Sequence, residues 1–240
     1  MNILVTGGAS GLGNAITRTL AVPTGTRIYF TYNRSLEAAQ LLEKECTNCT
    51  GIKCDFENQD DVNELAARIE SLDIDVLINN AYSGKPVKTH FHKISAADFQ
   101  SEFRINIMPV ILLTQACIKY FRKKKSGRII TILTAYLHDS PPVGTAAYVG
   151  GKAFLASLVK SWAAENGKYN ISSNAVSPSF MRTGLAADVD ERIIEQMIAG
   201  HPLKKLLTVE ETAAAVASLV NAPAEVNGTE VVIHAGTNIK

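Results

Sequence analysis

The chain has 240 residues, 46% of them hydrophobic, with 24 Lys and Arg against 23 Asp and Glu for a formal net charge of +1. That length suits one large α/β domain, and the near-neutral balance argues against a surface dominated by nucleic acid or anionic lipid. No run approaches the roughly 20 apolar residues needed to cross a bilayer, and the N-terminus lacks the basic and apolar pattern of a signal peptide, so a cytoplasmic protein without a membrane segment is expected.

The first strand-like segment is "NILVT", residues 2–6, and "TGGASGLG" follows from Thr6 to Gly13. Glycine lets a backbone turn tightly and approach a ligand, while unpaired N–H groups at a helix start attract an anion. Strand, glycine turn and a helix beginning near Leu12 therefore make a phosphate cradle. The spacing over Gly7, Gly11 and Gly13 is Gly-x-x-x-Gly-x-Gly, not the Gly-x-Gly-x-x-Gly dinucleotide fingerprint, and taken alone it also suits an ordinary loop.

Next come a strand at "RIYFTY" (27–32), an amphipathic helix at "SLEAAQLLEKE" (35–45), a strand at "GIKCD" (51–55), a helix at "DDVNELAARIESL" (60–72) and a strand at "DVLINN" (75–80). A long helical stretch over 98–124 contains Asn106 and Pro109, and proline removes a donor that an unbroken helix would use. Its end, "RKKKSGR", places cations where they complement the helix dipole. A strand at "RIITIL" (128–133), a helix at 146–167 and strands at "ISSNAVS" (171–177) and "EVVIHA" (230–235) complete the series.

Several of these strands are near-continuously apolar and rich in Ile and Val, as strands buried on both faces of a parallel sheet are. Strand–helix–strand units predict a single-domain α/β fold: a Rossmann-type doubly wound parallel sheet of about seven strands, with helices on both faces. The domain is expected to span 1–240, with a cofactor half at about 1–130 and a catalytic and substrate half at about 131–240. Ligands belong outside the carboxyl ends of the strands. Cys46, Cys49, Cys54 and Cys117 include one Cys-x-x-Cys but no second pair at zinc-site spacing, so reduced thiols and no metal are expected. His90, His92 and His138 lack carboxylates at ligand spacing and read as solvent-facing loop residues.

Four features follow one another: the glycine loop, "NNA" from Asn79 to Ala81, Asn106 within the long helix, and "YVGGK" from Tyr148 to Lys152. In this order they resemble the short-chain dehydrogenase/reductase (SDR) family over essentially the whole chain. "GRIITI", "HPLKKLLTVEETAAAVASLV" and "NGTEVVIHAG" look most like the 3-oxoacyl-[acyl-carrier-protein] reductases of that family. The resemblance implies a nicotinamide dinucleotide, with its pyrophosphate on the loop of Thr6, Gly7, Ser10, Gly11, Leu12 and Gly13. It places Asp55 and Phe56 by the adenine, Asn79 and Ala81 beside the adenine ribose, and Pro178, Ser179 and Thr183 by the nicotinamide. Asp55 has a second reading as a helix N-cap. Members selecting NAD carry Asp where this chain has Asn33; Asn33 does not repel a 2′-phosphate and Arg34 can pair with one, so NADP(H) is expected.

Tyr148 and Lys152 stand four apart, which puts both side chains on one helix face. The family's proton donor is this tyrosine, and a neighbouring ammonium together with the positive charge of the oxidised nicotinamide is expected to lower its pKa from about 10. By the same resemblance Lys152 holds the nicotinamide ribose and Asn106 bends the central helix and anchors a water leading to the lysine. The catalytic serine position is taken by Thr134, or by Ser140 through a rearranged loop. Two further departures are Tyr82 where the family has Gly and Ser179 after Pro178, again where the family has Gly; both are expected to reshape the pocket and leave the chemistry intact.

Substrate preference is assigned to "AYSGKPVKTHFHKI", "AYLHDSPPVG" and "FMRTGLAADVDERIIEQM", with Tyr82, Tyr136, Phe180 and Met181 as pocket walls. The carrier reductases recognise an acidic acyl carrier protein through basic residues near the end of the central helix, which marks Lys125 and Arg128. The family also implies a homodimer or homotetramer through its long helices. The leading expectation is an NADPH-dependent ketoreductase of a 3-oxoacyl thioester. The alternatives are an SDR acting on another small alcohol, sugar or ketone, and a silent NADP-binding sensor or scaffold.

Overall fold

The computed structural model describes residues 1–184 and 189–237. Seven parallel strands form one sheet: β1 (Asn2–Val5), β2 (Arg27–Tyr32), β3 (Cys49–Lys53), β4 (Val76–Asn79), β5 (Gly127–Ile132), β6 (Ile171–Pro178) and β7 (Glu230–Ile233), in the spatial order β3-β2-β1-β4-β5-β6-β7. The doubly wound single domain expected from the sequence is the one observed. Each predicted strand exists, although β3 starts two residues early, its register set by the pairing of Ile28 with Cys49 through Tyr32 with Lys53.

Helices cover both faces because successive strand residues point oppositely. Ile3 and Val5 of β1 pack with α1 (Gly11–Ala21) and α8 (Val209–Val220) through Ile16, Leu20, Val216 and Leu219. Leu4, between them, points into the opposite layer of α3 (Gln59–Arg68), α5 (Met108–Lys124) and α6 (Ala146–Asn166), with Leu65, Leu113, Phe121, Leu155 and Trp162. Helix α2 (Leu36–Glu45) joins the first layer through Ala39 and Leu42.

The expected break in the long helical stretch is a wide, π-type turn at Phe103–Ile107 between α4 (Ala96–Glu102) and α5, with Pro109 in the first turn of α5. Helix α7 (Glu191–Gly200), capped by Asp190 through the Arg192 N–H, occupies part of the segment read as a substrate loop; residues 185–188 of that segment lie outside the described residues. Among the described residues no helix is long and apolar enough to cross a membrane.

Candidate active site

The chain turns at Thr6, whose side chain is fully buried. Its hydroxyl donates to the Ile78 carbonyl at 3.2 Å and accepts the N–H groups of Asn80 and Ala81, each at 3.0 Å. Thr6 thus lashes the end of β1 to the loop after β4. Gly7 and Gly11 adopt φ of +64° and +51°, values that L side chains rarely take. Gly13 is required for a different reason. A Cβ there would run into the Gly7 carbonyl and lie 2.7 Å from Asn80 Nδ2. Ser10 is the N-cap of α1 but makes no side-chain capping bond, which leaves the first-turn N–H groups for a ligand.

A cavity of about 610 Å³ opens at the carboxyl edge of the sheet, beside the point where the strand order reverses between β1 and β4. Gly7, Ser10, Gly11, Leu12, Gly13, Asn33, Arg34, Phe56, Ala81, Tyr148, Lys152, Pro178 and Thr183 all line it. Four expected cofactor contacts do not, and Thr134, Tyr136 and Phe180, expected around the substrate, are not among its lining residues either. Thr6 is buried beneath the loop, and Ser179 is bound through its N–H to the Ile233 carbonyl at 2.9 Å. Asn79 points into the helical layer, donating to Thr114 Oγ1 at 3.0 Å. Asp55 accepts the Glu57 N–H at 2.9 Å in a local turn, and the N-cap of α3 is Asn58, so neither reading of Asp55 describes its contacts. The physical reason is alternation along the backbone: Gly7, Phe56, Asn80 and Pro178, each one residue away, face the cleft instead.

At the inner end of the cavity, one turn of α6 presents Tyr148 and Lys152 together. The Lys152 ammonium donates to the Ile132 carbonyl at the end of β5, 2.7 Å away, and is 8% exposed. Burial pulls its pKa down to about 8, opposed by the negative charge of Glu102. Its Nζ stands 5.9 Å from the Tyr148 ring centroid. Burial pushes the Tyr148 phenol up to about 12, against the downward pull of a hydrogen bond with the Thr134 side chain. In the protein without its cofactor, desolvation of the phenolate dominates and the Thr134 side chain is what lowers the phenol. Tyr148 is a neutral acid at pH 7.

Thr134 caps a short 3₁₀ turn, Ala135–Leu137, accepting the Tyr136 N–H, and is buried against Tyr148; Ser140 is exposed further along the loop. Asn106 lies in the π-type turn, where its Oδ1 accepts the Ser83 N–H at 2.7 Å and its Nδ2 donates to Glu102 Oε2 at 3.2 Å. It clamps the loop after β4.

Sequence reasoning singled out Tyr82 as a departure and missed its partner. The Tyr82 hydroxyl donates to Glu102 Oε2 at 2.8 Å, and its ring meets the Tyr148 ring edge-on at 5.4 Å and 72°. Glu102 carries no motif, and the contact spans twenty residues of chain.

The basic patch is largely spent on the fold. Arg122 bonds Asn166, Lys123 pairs with Glu70, and Lys124 pairs with Asp73 and Asp75. Arg128 donates to the Ala222 carbonyl at 2.8 Å, while Lys125, in left-handed conformation at the C-cap of α5, is exposed. Of the three loop histidines, His138 sits 2.7 Å from Glu230.

A family model described as enoyl-(acyl carrier protein) reductase matches residues 7–238. The chain belongs to the short-chain dehydrogenase/reductase family. It is an SDR oxidoreductase of the kind that acts on CH–OH groups. It is 33% identical over 230 residues to a 3-oxoacyl-[acyl-carrier-protein] reductase of a Synechocystis species, covering 92% of this chain and 89% of the relative. At 31% over 234 residues it is similar to a 2,3-dihydro-2,3-dihydroxybenzoate dehydrogenase of Bacillus subtilis, covering 92% and 88%. Among solved structures, an actinorhodin polyketide ketoreductase with NADPH superposes with a TM-score of 0.87 at 25% identity, covering 98% of this chain and 96% of that one.

Proposed function

We propose that this SDR is an NADPH-dependent ketoreductase that converts a 3-oxoacyl thioester to the 3-hydroxyacyl product. One observation carries the reaction type: a buried, protonated Tyr148 whose phenol is influenced by the Thr134 side chain, with the Lys152 ammonium near it, on a cleft that also takes in the glycine loop. The cradle fits a dinucleotide, since Gly7 and Gly11 turn left-handed beneath the cavity and the first-turn N–H groups of α1 have no side-chain cap. Asn33 and Arg34 line the same cleft, which supports a cofactor bearing a 2′-phosphate.

The cofactor, when bound, supplies a hydride to the carbonyl carbon. Tyr148 gives its proton to the carbonyl oxygen as charge develops there, and the Thr134 hydroxyl donates to the same oxygen. Lys152, fixed by the Ile132 carbonyl, presents positive charge to the resulting phenolate and to the ribose side of the cleft. Asn106 holds the loop that forms the roof.

The thioester substrate is supported by the similarity to the carrier-protein reductase. The comparable similarity to a dihydroxybenzoate dehydrogenase supports a second reading, an SDR of another small alcohol or ketone. If the substrate is carried by an acidic protein, Lys125 is the cation it would meet, Arg128 being committed to Ala222. Exposed Phe103 and Phe154, packed edge-on at 5.3 Å between the π-type turn and α6, support a homodimer or homotetramer through these helices. Purified protein with NADPH and an acetoacetyl thioester should oxidise the cofactor. Tyr148→Phe should lose about 10²–10⁴-fold in turnover with NADPH binding retained. A wild-type protein that turns over neither thioesters nor simple ketones refutes the proposal.

A further inference from the structure

Resting on the reading of Tyr148 and Lys152 above, we propose that Glu102, held by Tyr82 and Asn106, is a positioning residue that keeps Lys152 charged and fixes the aromatic wall against Tyr148. Glu102 Oε2 receives the Tyr82 hydroxyl at 2.8 Å and Asn106 Nδ2 at 3.2 Å. The other oxygen faces α6: a Cβ built on Gly151 would lie 3.4 Å from Oε1, so the carboxylate is seated against the residue next to Lys152. The Tyr82 ring completes the arrangement, edge-on to Tyr148, with Lys152 Nζ 5.9 Å from each ring centroid.

A fully desolvated ammonium is costly without a compensating negative charge. The titratable groups facing the Tyr148–Lys152 pair come from three other elements. They are Tyr82 from the loop after β4, Glu102 from α4, and Tyr136 from the loop after β5, with Asp139 acting on Tyr136. Of the two carboxylates, Glu102 is the one whose field reaches both Lys152 and Tyr148. Its charge favours the ammonium and disfavours the phenolate, so it holds both groups in the protonated forms that ketone reduction requires. Tyr82, the departure from the family's glycine, supplies the hydroxyl that secures the carboxylate.

The test follows Lys152 directly, by ¹³Cε NMR titration of lysine-labelled protein with the resonance assigned from Lys152→Met, alongside pH profiles of ketone reduction. Glu102→Gln should lower the Lys152 pKa by on the order of one unit and move the basic limb of the rate profile downward with it. Tyr82→Phe, which keeps the ring and removes only the hydroxyl, should shift both in the same direction by less. Asp139→Asn should move neither. If Lys152 titrates at its wild-type position in Glu102→Gln, or in Tyr82→Phe should the first variant fail to fold, the inference is overturned. A uniform fall in kcat with the limb unmoved overturns it equally. A wild-type protein without turnover whose Lys152 pKa still drops in Glu102→Gln removes the functional reading and upholds the role of Glu102.

Discussion

Gly13→Ala sets two calculable effects against each other. Gly13 lies inside α1, where alanine gains about 1 kcal/mol of helix propensity over glycine. The new Cβ, however, would sit 2.8 Å from the Gly7 carbonyl carbon and 2.7 Å from Asn80 Nδ2. Neither neighbour yields freely. Gly7 is backbone tied to Thr31 Oγ1 at 2.8 Å, and Asn80 Nδ2 is bonded to the carbonyls of Thr6 and Gly7 at 2.9 and 3.2 Å. Overpacking of this kind costs about 1–3 kcal/mol. Losing the bond to Gly7 adds about 1 kcal/mol. The clash wins, leaving a net destabilisation of about 1–3 kcal/mol and a melting temperature about 3–10 °C lower for a chain of this size. Because the displaced atoms are the cradle itself, NADPH affinity should fall at least about tenfold. Gly150→Ala is the control: no heavy atom lies within 4 Å of a Cβ there, and α6 should gain up to about 1 kcal/mol. Scanning fluorimetry and NADPH fluorescence titration read both quantities. A Gly13→Ala protein that melts and binds like wild type would falsify the cradle geometry.

Three other outcomes follow. Arg34→Ala should weaken NADPH about 10–100-fold, the worth of a lost charge-assisted bond, and leave NADH nearly unchanged in the same titration. Lys152 has a folded pKa of about 8, below its ordinary 10.5, so its burden on stability is complete below pH 8 and fades as the pH climbs towards 10.5. Lys152→Met should therefore melt no lower than wild type at pH 7 despite losing the Ile132 bond, with its relative advantage shrinking by about pH 10; a gap independent of pH contradicts this. Phe154→Glu should shift the mass in light scattering toward monomer, and an unchanged oligomer would place the subunit contact elsewhere.

The departures from expectation concern how far each signal reaches along the chain. β3 was displaced by two residues because its ends are set by pairing with β2, and α7 went unrecognised within a segment read as loop. Asn79 stands at the end of β4 but turns into the helical layer, and Asp55, half-exposed beyond β3, accepts the Glu57 N–H in a local turn. "RKKKSGR" reads as cations complementing a helix end, and the sequence could not show that Lys123 and Lys124 pair with Glu70, Asp73 and Asp75, or that Arg128 of the two docking candidates bonds Ala222.

What the sequence settled by itself was local: alternating strand and helix periods, a glycine loop whose backbone must turn left-handed, a Pro109-marked break in a long helix, and Tyr148 and Lys152 one turn apart. Neighbouring residues are enough to encode those features. The protonation states of that pair belong to the folded molecule, because they arise from desolvation and from the field of Glu102, and both are summed over atoms that the chain brings near only when it folds.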